Sequence, residues 1–303
     1  MSAQSAPLFG NVSRSRTPAQ QLRDLLQRNP DEMLLMPCCY DGLSAKLVER
    51  AGFELTFMSG FSVAGSKGLP DTGLLSYEEM RQRVTEITSV ISIPLIADAD
   101  GGYGNAINVK RTIHGYAAAG AAGLLLEDQV LPKRCGHTRG KAVVSREEAI
   151  SRMQAAVDAR DAGSDIVIIG RTDAAACVSF EEALERARIF LELGADMTFV
   201  EAPRSERELA MYCESVGGMK LVNCLEGGDT PILPPQRLEE LGFKLAAYPL
   251  SLLSSSIKAM EVTLAALRSG DPAGVEPHLV PFEDVRSIVG FDEYDKQQQR
   301  YKV

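Results

Sequence analysis

The sequence lacks the features that mark several broad classes of protein. It has no excess of positive charge, since 41 Asp and Glu residues against 32 Lys and Arg residues give a net charge of −9. Because nucleic-acid binding needs a cationic face, we expect no nucleic-acid partner. No window approaches the roughly 18 consecutive apolar residues of a membrane helix, so we expect neither a transmembrane span nor a membrane partner.

A disulfide framework is also missing. The six cysteines show no framework spacing, no signal peptide precedes them, and 303 residues are enough to form a core without cross-links. These observations favour a reducing, cytoplasmic compartment. Residues 1–23 contain arginine and serine but no acidic residue. We interpret them as a flexible tail, with an organellar transit peptide as the alternative.

What the sequence does contain is a repeated alternation of short apolar runs and helical patterns. The runs cover residues 33–38, 54–59, 93–98, 122–127, 165–170, 196–201, 219–224 and 244–249. Between them lie amphipathic stretches such as 76–90 and 179–194, whose first turns are acidic, as helix dipoles favour. Each of these two stretches begins with the serine and glutamate spacing of a capping box.

Eight strand–helix units predict a parallel sheet that closes into a (β/α)8 TIM-type barrel of residues 24–270. A doubly wound open sheet is the alternative, but no G-x-G-x-x-G motif follows the first predicted strand. A long helix over 251–270 follows the last predicted strand, and residues 271–303 form a polar C-terminal extension. We therefore expect one catalytic domain between a tail and an extension.

The active site of such a barrel lies at the carboxyl ends of its strands. Polar side chains are concentrated at these ends: Ser59, Asp98, Asp100, Glu127, Asp128, Arg171, Asp173, Glu201, Asn223 and Glu226. Solvated strand ends are commonly polar, so no single residue is decisive. Their coincidence predicts one catalytic pole.

Three of these residues, Asp98, Asp100 and Glu127, form a candidate metal site. Side chains at i and i+2 of a strand share a face, and an adjacent strand end brings Glu127 near. Clustered carboxylates repel one another unless a cation or protons intervene, so we expect a hard divalent ion, Mg²⁺ or Mn²⁺. The alternative is a set of solvated acids with separate partners. Zinc is not expected, because no second Cys/His pair has ligand spacing.

The segment LPKRCGHTRGK, residues 131–141, surrounds one cysteine with cationic and histidine side chains: Lys133, Arg134, His137, Arg139 and Lys141. It lacks the spacing of a phosphate-binding loop, but neighbouring cations stabilise a thiolate. We therefore predict that Cys135 transfers a proton at carbon or acts as a nucleophile, and that the cations attract a small anion. The alternative is a basic surface loop with an incidental cysteine.

Arg171 is the candidate for binding a carboxylate group of the substrate. It stands at a predicted strand end, and a guanidinium group can bind a carboxylate through two hydrogen bonds. The alternative for Arg171 is an ion pair with an acid of the barrel. The sequence leaves both possibilities open.

Six segments, in this order, strongly resemble the isocitrate lyase/phosphoenolpyruvate mutase superfamily: SGFSVAGSKGLPD, IADADGGYGN, LLLEDQVLPKRCGH, GRTDA, FVEAP and NCLEGGDTP. The resemblance covers roughly residues 30 to 270, and the K-R-C-G-H motif is typical of the lyase branch. It implies an α/β barrel, usually a homotetramer in which the eighth helix is exchanged between subunits.

The resemblance also implies roles for individual residues. Mg²⁺ is held by Asp98, Asp100 and Glu127, with Asp71 close by. The remaining roles concern the substrate, and they fall to backbone and side-chain groups at the strand ends and in the cysteine segment: Ser59, Gly60, Phe61, Gly136, His137, Arg171, Glu201 and Asn223. Cys135 supplies the proton to carbon, and cations such as Lys133 stabilise the developing negative charge.

The implied reaction is cleavage of a 2-hydroxy di- or tricarboxylate into an α-keto acid and a carboxylate. Phe57 stands where isocitrate and methylisocitrate lyases usually have tyrosine, and it resembles members acting on oxaloacetate and alkylmalates. Pro249 resembles methylisocitrate and dimethylmalate lyases, and the E-G-G sequence after Asn223 resembles an alkylmalate lyase. The preferred substrate is therefore of the 2,3-dimethylmalate or 2-methylisocitrate type. Enzymes that hydrolyse or decarboxylate oxaloacetate, and phosphoenolpyruvate mutase-type enzymes, are the alternatives. An inactive barrel that serves as a scaffold is the non-enzymatic alternative.

Overall fold

The computed structural model describes residues 16–29, 32–136, 140–270 and 273–302. Parallel strands form a closed barrel in which the order around the barrel is the order along the chain. The strands are β1 (Leu34–Cys39), β2 (Thr56–Met58), β3 (Leu95–Asp98), β4 (Gly123–Glu127), β5 (Val167–Thr172), β6 (Met197–Val200), β7 (Met219–Asn223) and β8 (Leu245–Tyr248). Pairing of Leu34 with Leu245 joins the first strand to the last. The predicted barrel is confirmed, and the open sheet is wrong.

Helices follow the strands and cover the outside of the barrel. They are α1 (Pro18–Arg28), α2 (Gly42–Arg50), α3 (Gly60–Ser66), α4 (Tyr77–Thr88), α5 (Ala106–Ala118), α6 (Arg146–Asp161), α7 (Ala174–Cys177), α8 (Phe180–Leu193), α9 (Glu206–Ser215), α10 (Pro235–Leu241), α11 (Ser251–Arg268), α12 (Phe282–Val289) and α13 (Phe291–Arg300). Within the described ranges, no helix combines the length and apolar character needed to cross a membrane.

The two predicted capping boxes have different outcomes. Ser76 and Glu79 exchange both hydrogen bonds at the start of α4. At the start of α8, Ser179 accepts a hydrogen bond from the backbone of Glu182. The Glu182 carboxylate, however, pairs with Arg146 and Arg186, because it faces two guanidinium groups.

The N-terminal tail ends earlier than the predicted boundary at residue 23. Helix α1 begins at Pro18, and Thr17 forms a capping box with Gln20. Leu22 and Leu26 are buried in the apolar cluster that fills the barrel. Helix α1 therefore covers the N-terminal end of the barrel and belongs to the domain. Residues 1–15 of the predicted tail lie outside the described residues.

Strand residues alternate between two apolar environments. One set fills the barrel interior, and it includes Met36, Ile96, Leu125, Ile169 and Leu245. Neighbouring residues in the strands face outward and pack against the helices. This double burial explains why the strands read as nearly continuous apolar runs. The polar side chains that follow the strands consequently meet at the carboxyl end of the barrel.

Candidate active site

A pocket opens at the carboxyl end of the barrel. Most of the predicted site residues line it together: Ser59, Phe61, Asp71, Asp98, Glu127, Lys133, Cys135, Gly136, Arg171, Glu201 and Asn223. Gly60 and Asp100 line a smaller adjoining pocket that shares Asp71 and Lys133 with the first. His137 lies outside the described residues. Side chains that lie between residues 59 and 223 of the sequence thus meet at one pole, as the carboxyl ends of barrel strands should.

Lys133 occupies the centre of the acidic cluster. Its Nζ lies 3.0 Å from Asp71 and 3.8 Å from Asp98, and it forms an ion pair with Asp100. Burial alone would lower the pKa of Lys133, but the surrounding carboxylates raise it well above its ordinary value. The ammonium is therefore engaged by these acids. Lys133 also lines the pocket, and its expected role in stabilising developing negative charge stays a prediction.

The acid cluster retains the character of a cation site. Within the described part of the chain, Oε1 of Glu127 is buried without a hydrogen-bond partner, and Oδ1 of Asp100 is buried with the ammonium of Lys133 as its ion-pair partner. Burial raises the pKa of Asp100 to about 6 despite Lys133, and it raises the pKa of Glu127 well above its usual range. No group of three metal-ligating side chains converges on one point among those residues. The donor set is nevertheless all oxygen, which fits a hard cation that keeps several waters.

Backbone groups fix Asp98 within this cluster. Its Oδ1 accepts a hydrogen bond of 3.0 Å from the backbone N–H of Asp100, and its Oδ2 accepts one of 3.2 Å from Gly60. A Cβ atom at Gly60 would collide with this carboxylate. Ser59, which precedes it, caps helix α3 by accepting a hydrogen bond from the backbone of Ser62. The start of α3 is therefore packed directly against the acids.

Arg171 lines the opposite side of the cluster and pairs with several acids. Its Nε and Nη2 donate to the two oxygens of Asp173 at 2.8 and 3.1 Å. Its Nη2 also lies 3.0 Å from Glu201, and its Nε lies 3.4 Å from Glu127. Burial would lower the pKa of Arg171, but these acids raise it. The alternative proposed for Arg171, an ion pair with barrel acids, is thus present, and the guanidinium also forms part of the pocket wall.

Cys135 lies on the pocket wall between two anchored backbone positions. On one side, the Gln129 amide donates to the carbonyl of Arg134 at 2.9 Å and accepts from its N–H at 3.0 Å. On the other side, the Lys141 ammonium donates to the carbonyl of Gly136. The thiol is half-buried, and it faces the same pocket as the acids and Arg171.

The sequence analysis missed two functional features of this site. It treated Lys141 as a cation free to bind an anion, whereas its Nζ pairs with Asp173 at 2.8 Å. It also overlooked Asp173 as the partner of Arg171, although the i and i+2 rule that joined Asp98 to Asp100 applies there too. The Gln129 contact had no signal in the sequence, because a side chain bonding to a nearby backbone leaves no periodic pattern.

The remaining wall of the pocket is apolar. It is formed by side chains from several strands and the loops that follow them: Phe57, Leu125, Phe199, Leu221, Leu225, Ala247, Pro249 and Leu250. Phe57 and Pro249, singled out in the sequence, thus line the same cavity as the charged groups. Glu226, also predicted at this pole, instead accepts a hydrogen bond of 2.5 Å from Ser251.

Known proteins resemble this chain over nearly its whole length. The family model described as phosphoenolpyruvate phosphomutase matches residues 22–268. A 2,3-dimethylmalate lyase of Eubacterium barkeri is 39% identical over 285 residues, which cover 93% of this chain and 98% of that protein. A 2-methylisocitrate lyase of Aeropyrum pernix is 37% identical over 281 residues, which cover 92% of this chain and 90% of that protein.

Solved structures show the same architecture. An oxaloacetate acetylhydrolase in complex with 3,3-difluorooxalacetate has a TM-score of 0.88 at 34% identity, and the match covers 97% of both chains. A phosphonopyruvate hydrolase in complex with oxalate and Mg²⁺ has a TM-score of 0.82 at 28% identity, and it covers 94% of this chain and 99% of that one.

Proposed function

Because the chain is a lyase that belongs to the phosphoenolpyruvate mutase/isocitrate lyase superfamily, we propose that it cleaves a carbon–carbon bond of a 2-hydroxy di- or tricarboxylate. The products are an α-keto acid and a carboxylate. One observation carries this proposal: the half-buried thiol of Cys135, the guanidinium of Arg171 and the acid cluster line a single pocket. That combination supplies a proton donor, a carboxylate-binding group and a cation site at once.

The residues fit a Mg²⁺ cofactor, with Mn²⁺ as a substitute. The cation would be held, directly or through water, by Asp98, Asp100 and Glu127. Asp71 lies close to them, because it pairs with the same lysine, Lys133, as Asp100 does. The cation would act as a Lewis acid that lowers the pKa of a substrate hydroxyl group. The buried oxygen Oε1 of Glu127, which has no hydrogen-bond partner, supports this assignment.

The protein groups then have separate tasks. Ser59, Gly60 and Phe61 bind the α-keto or α-hydroxy acid end of the substrate. Arg171 orients a carboxylate group, since a guanidinium fixes both the charge and the plane of its partner. Cations of the cysteine segment that face the pocket, such as Lys133, stabilise the negative charge that develops when the bond breaks.

Protonation completes the reaction. Cys135 donates its proton to the carbanion left on the carboxylate fragment, and Gly136 and His137 contact the substrate beside it. Glu201 and Asn223 complete the polar wall, where the Asn223 amide lies 3.5 Å from a Glu201 oxygen. Each task falls to a group that the carboxyl end of the barrel presents to the same cavity.

The apolar wall supports an alkylated substrate of the 2,3-dimethylmalate or 2-methylisocitrate type. Phe57, Phe199 and Pro249 offer hydrocarbon surface next to Cys135 and Arg171. Burial of one methyl or methylene group against such a wall contributes about 0.8 kcal/mol. A carboxylate or hydrated substituent gains nothing there. The wall therefore favours substrates with alkyl groups over oxaloacetate.

Hydrolysis of oxaloacetate is the second candidate function. The similarity to an oxaloacetate acetylhydrolase, with a TM-score of 0.88 at 34% identity, favours it over decarboxylation or phosphomutase chemistry. A direct comparison of substrates separates the candidates. Purified protein with Mg²⁺ is offered 2,3-dimethylmalate, 2-methylisocitrate, unsubstituted 2-hydroxydicarboxylates and oxaloacetate.

A coupled assay for pyruvate or glyoxylate, together with detection of oxalate and acetate, reports each reaction. We expect turnover of an alkylated substrate that is lost when EDTA removes the metal and returns when Mg²⁺ is restored. Equal or faster conversion of oxaloacetate would contradict the preference for alkylated substrates. Absence of turnover on every substrate would favour the inactive scaffold.

We also propose that the chain forms a homotetramer with exchanged α11 helices. Only Leu253 of α11 is buried. Four apolar residues on the same side of this helix are strongly exposed: Ile257, Met260, Leu264 and Leu267. An apolar groove lies nearby on the barrel, lined by Leu35, Leu47, Phe53 and Leu252 among others. Exposed apolar patches of this kind mark protein–protein contacts.

A cytoplasmic location completes the proposal. All six cysteines are free thiols. Reduced thiols suit a reducing compartment, whereas secreted proteins commonly pair them. Fractionation of cells that express the native protein would test this location.

A further inference from the structure

Lys141 is almost fully buried next to the candidate site, yet it lies outside the acid cluster. Its side chain is 4% exposed, and its partner Asp173 is fully buried. The ammonium donates both to Asp173 and to the backbone carbonyl of Gly136. One lysine thus joins the backbone next to Cys135 to the carboxylate that also binds Arg171.

The backbone at Gly136 lies in close contact with the carboxylate-binding group. A Cβ atom at this position would lie 2.6 Å from Nη2 of Arg171 and 2.6 Å from Oε2 of Glu201. No side chain fits between them. The position of the Gly136 backbone therefore sets the distance between the cysteine segment and the Arg171–Glu201 pair.

Asp173 is itself held in place by hydrogen bonds to Asp128. Its backbone N–H donates to Asp128 at 2.9 Å, and the hydroxyl of Thr172 donates to the same carboxylate at 2.6 Å. Arg186 pairs with Asp128 at 2.9 Å. Lys141 is consequently tied to a fixed point of the barrel, and fixed supports of this kind hold reactive groups in register.

We propose that Lys141 is a positioning residue, which sets the location of the Cys135 thiol over the pocket through the Gly136 carbonyl and Asp173. The proposal rests on the function proposed above, in which Cys135 donates a proton. Gln129 holds the other side of the cysteine at residue 134. With Lys141 in place, hydrogen bonds hold the backbone on both sides of Cys135, at Arg134 and at Gly136.

A purely structural role is a weaker explanation. Buried ion pairs contribute little net stability, because the desolvation of two charges offsets their attraction. Asp173 already has Arg171 as a counter-ion, with two hydrogen bonds. Arg171 is shared with Glu127 and Glu201, so Lys141 adds to the charge balance, but its additional bond to the Gly136 carbonyl is what directs its effect to the cysteine.

The test compares Lys141→Met, which keeps the length and removes the charge, with Lys141→Arg, which keeps the charge. Lys110→Met is the matched control, because Lys110 is 43% exposed and pairs with Asp158 on the outside of the barrel. A misplacement of about 1 Å can lower turnover about 10²-fold. We expect kcat of Lys141→Met to fall by about that factor, with a KM change of less than about tenfold.

We expect Lys141→Arg to recover part of the lost kcat and Lys110→Met to match the wild type. A second readout does not depend on turnover: the rate at which iodoacetamide alkylates Cys135, measured by peptide mass spectrometry with and without oxalate and Mg²⁺. Loss of the attachment should raise the alkylation rate several-fold and weaken protection by oxalate, because thiol reactivity follows exposure.

Wild-type kcat and an unchanged alkylation rate in Lys141→Met would overturn the proposal. So would equal losses in the Met and Arg variants with a large drop in melting temperature, since these indicate a structural role. If Lys141→Met does not fold, Lys141→Gln undergoes the same measurements. Should the wild type turn over no substrate, the proposed function fails, and the alkylation rates alone still decide the role of Lys141.

Discussion

Charge pairing at single residues shapes the pocket. Lys133 faces Asp71, Asp98 and Asp100, while Arg171 shares Asp173 with Lys141. Buried carboxylates of this density need cations close by, because each unpaired charge in a low-dielectric interior is costly. The lysine of the K-R-C-G-H motif therefore belongs to the acid cluster, whereas Cys135 of the same motif lines the pocket beside it.

Replacement of Cys135 by serine tests the assigned proton donor. A hydroxyl group holds its proton far more tightly than a thiol, so Cys135→Ser should lose the acid–base contribution, about 10²–10⁴-fold in turnover. Binding of an α-keto acid with Mg²⁺ should persist, because the acids and Arg171 are untouched. Calorimetric titration with pyruvate in the presence of Mg²⁺ measures the binding. Turnover equal to the wild type would defeat the role of the thiol.

Gly136 provides a second test at the residue scale. Alanine at this position brings a Cβ within 2.6 Å of Arg171 and Glu201, so the cysteine segment must shift. We expect Gly136→Ala to lower kcat/KM by about 10²-fold or more, since small displacements of reacting groups are costly. The control is Gly217→Ala, where no atom lies within 4 Å of the added Cβ. Steady-state kinetics of both variants, with matched circular dichroism spectra, provides the measurement, and equal kinetics would contradict the argument.

Prediction of individual site residues from the sequence depended on the strand ends. Asp98, Glu127 and Arg171 meet because barrel strands are parallel and end at one pole, which is a property of the fold. The carboxylate that pairs with each cation could not be predicted from the sequence. Whether Lys141 turns to an anion in solution or to Asp173 depends on contacts across the barrel mouth, and sequence spacing carries no record of them.

Helix α1 shows how a single element is attached. Asp165, just before β5, accepts hydrogen bonds from Thr17 and from Arg23, the latter at 2.6 Å. Partial burial raises the pKa of Asp165, but these donors outweigh it and hold the pKa below its ordinary value. The carboxylate form is therefore the one that stabilises the fold, and α1 depends on its charge.

We expect Asp165→Asn to lower the free energy of unfolding by about 1 kcal/mol at pH 7, a value reduced for partial exposure. Because the folded pKa is depressed, the wild-type advantage exists above the unfolded pKa and disappears as pH falls through the folded pKa. Urea denaturation from pH 7 to below about pH 4 should show the two proteins converging. Asp24→Asn is the control, because its pair with Arg16 is more than half exposed. A constant difference across this range would exclude the charge effect.

Elements with a strong pattern were predictable, and short or irregular ones were not. Each apolar run overlaps one observed strand, because strands buried on both faces leave an unbroken apolar signal. Helix α3 was missed, since its sequence GFSVAGS is short and rich in small residues. The start of α1 was not predicted, because the acid-free composition of residues 1–23, which contains several arginines, is typical of a tail. The spacing of the buried residues Leu22 and Leu26 indicates a helix instead.

At the scale of the whole molecule, α11 and the two helices after it expose much apolar surface. Helices α12 and α13 contain no buried residue, and Phe282 is 75% exposed. This surface supports the assembly proposed above, because contiguous apolar patches are rare on monomers. The family resemblance supplied the expectation of exchanged helices, and spacing within 251–270 alone did not.

Replacement of Leu264 by aspartate tests the proposed assembly. Leu264 is 64% exposed in the single chain, so the substitution should leave the barrel folded while placing a charge in the contact between subunits. We expect the wild type to sediment as a tetramer and Leu264→Asp as a smaller species. Ile107→Asp is the control, since Ile107 is 70% exposed and lies on α5 rather than on α11. Sedimentation of Leu264→Asp identical to that of the wild type would contradict the assembly.

The position of α1 has a practical consequence for handling the protein. Thr17 and Arg23 contact Asp165 at the end of the barrel that faces away from the pocket. An affinity tag, fluorophore or surface tether fused ahead of Thr17 is thus attached at the far side from the opening through which reactants pass. Immobilised preparations oriented in this way should keep their openings towards the bulk solution, whereas a tether placed on the segment from 131 to 141 would obstruct them.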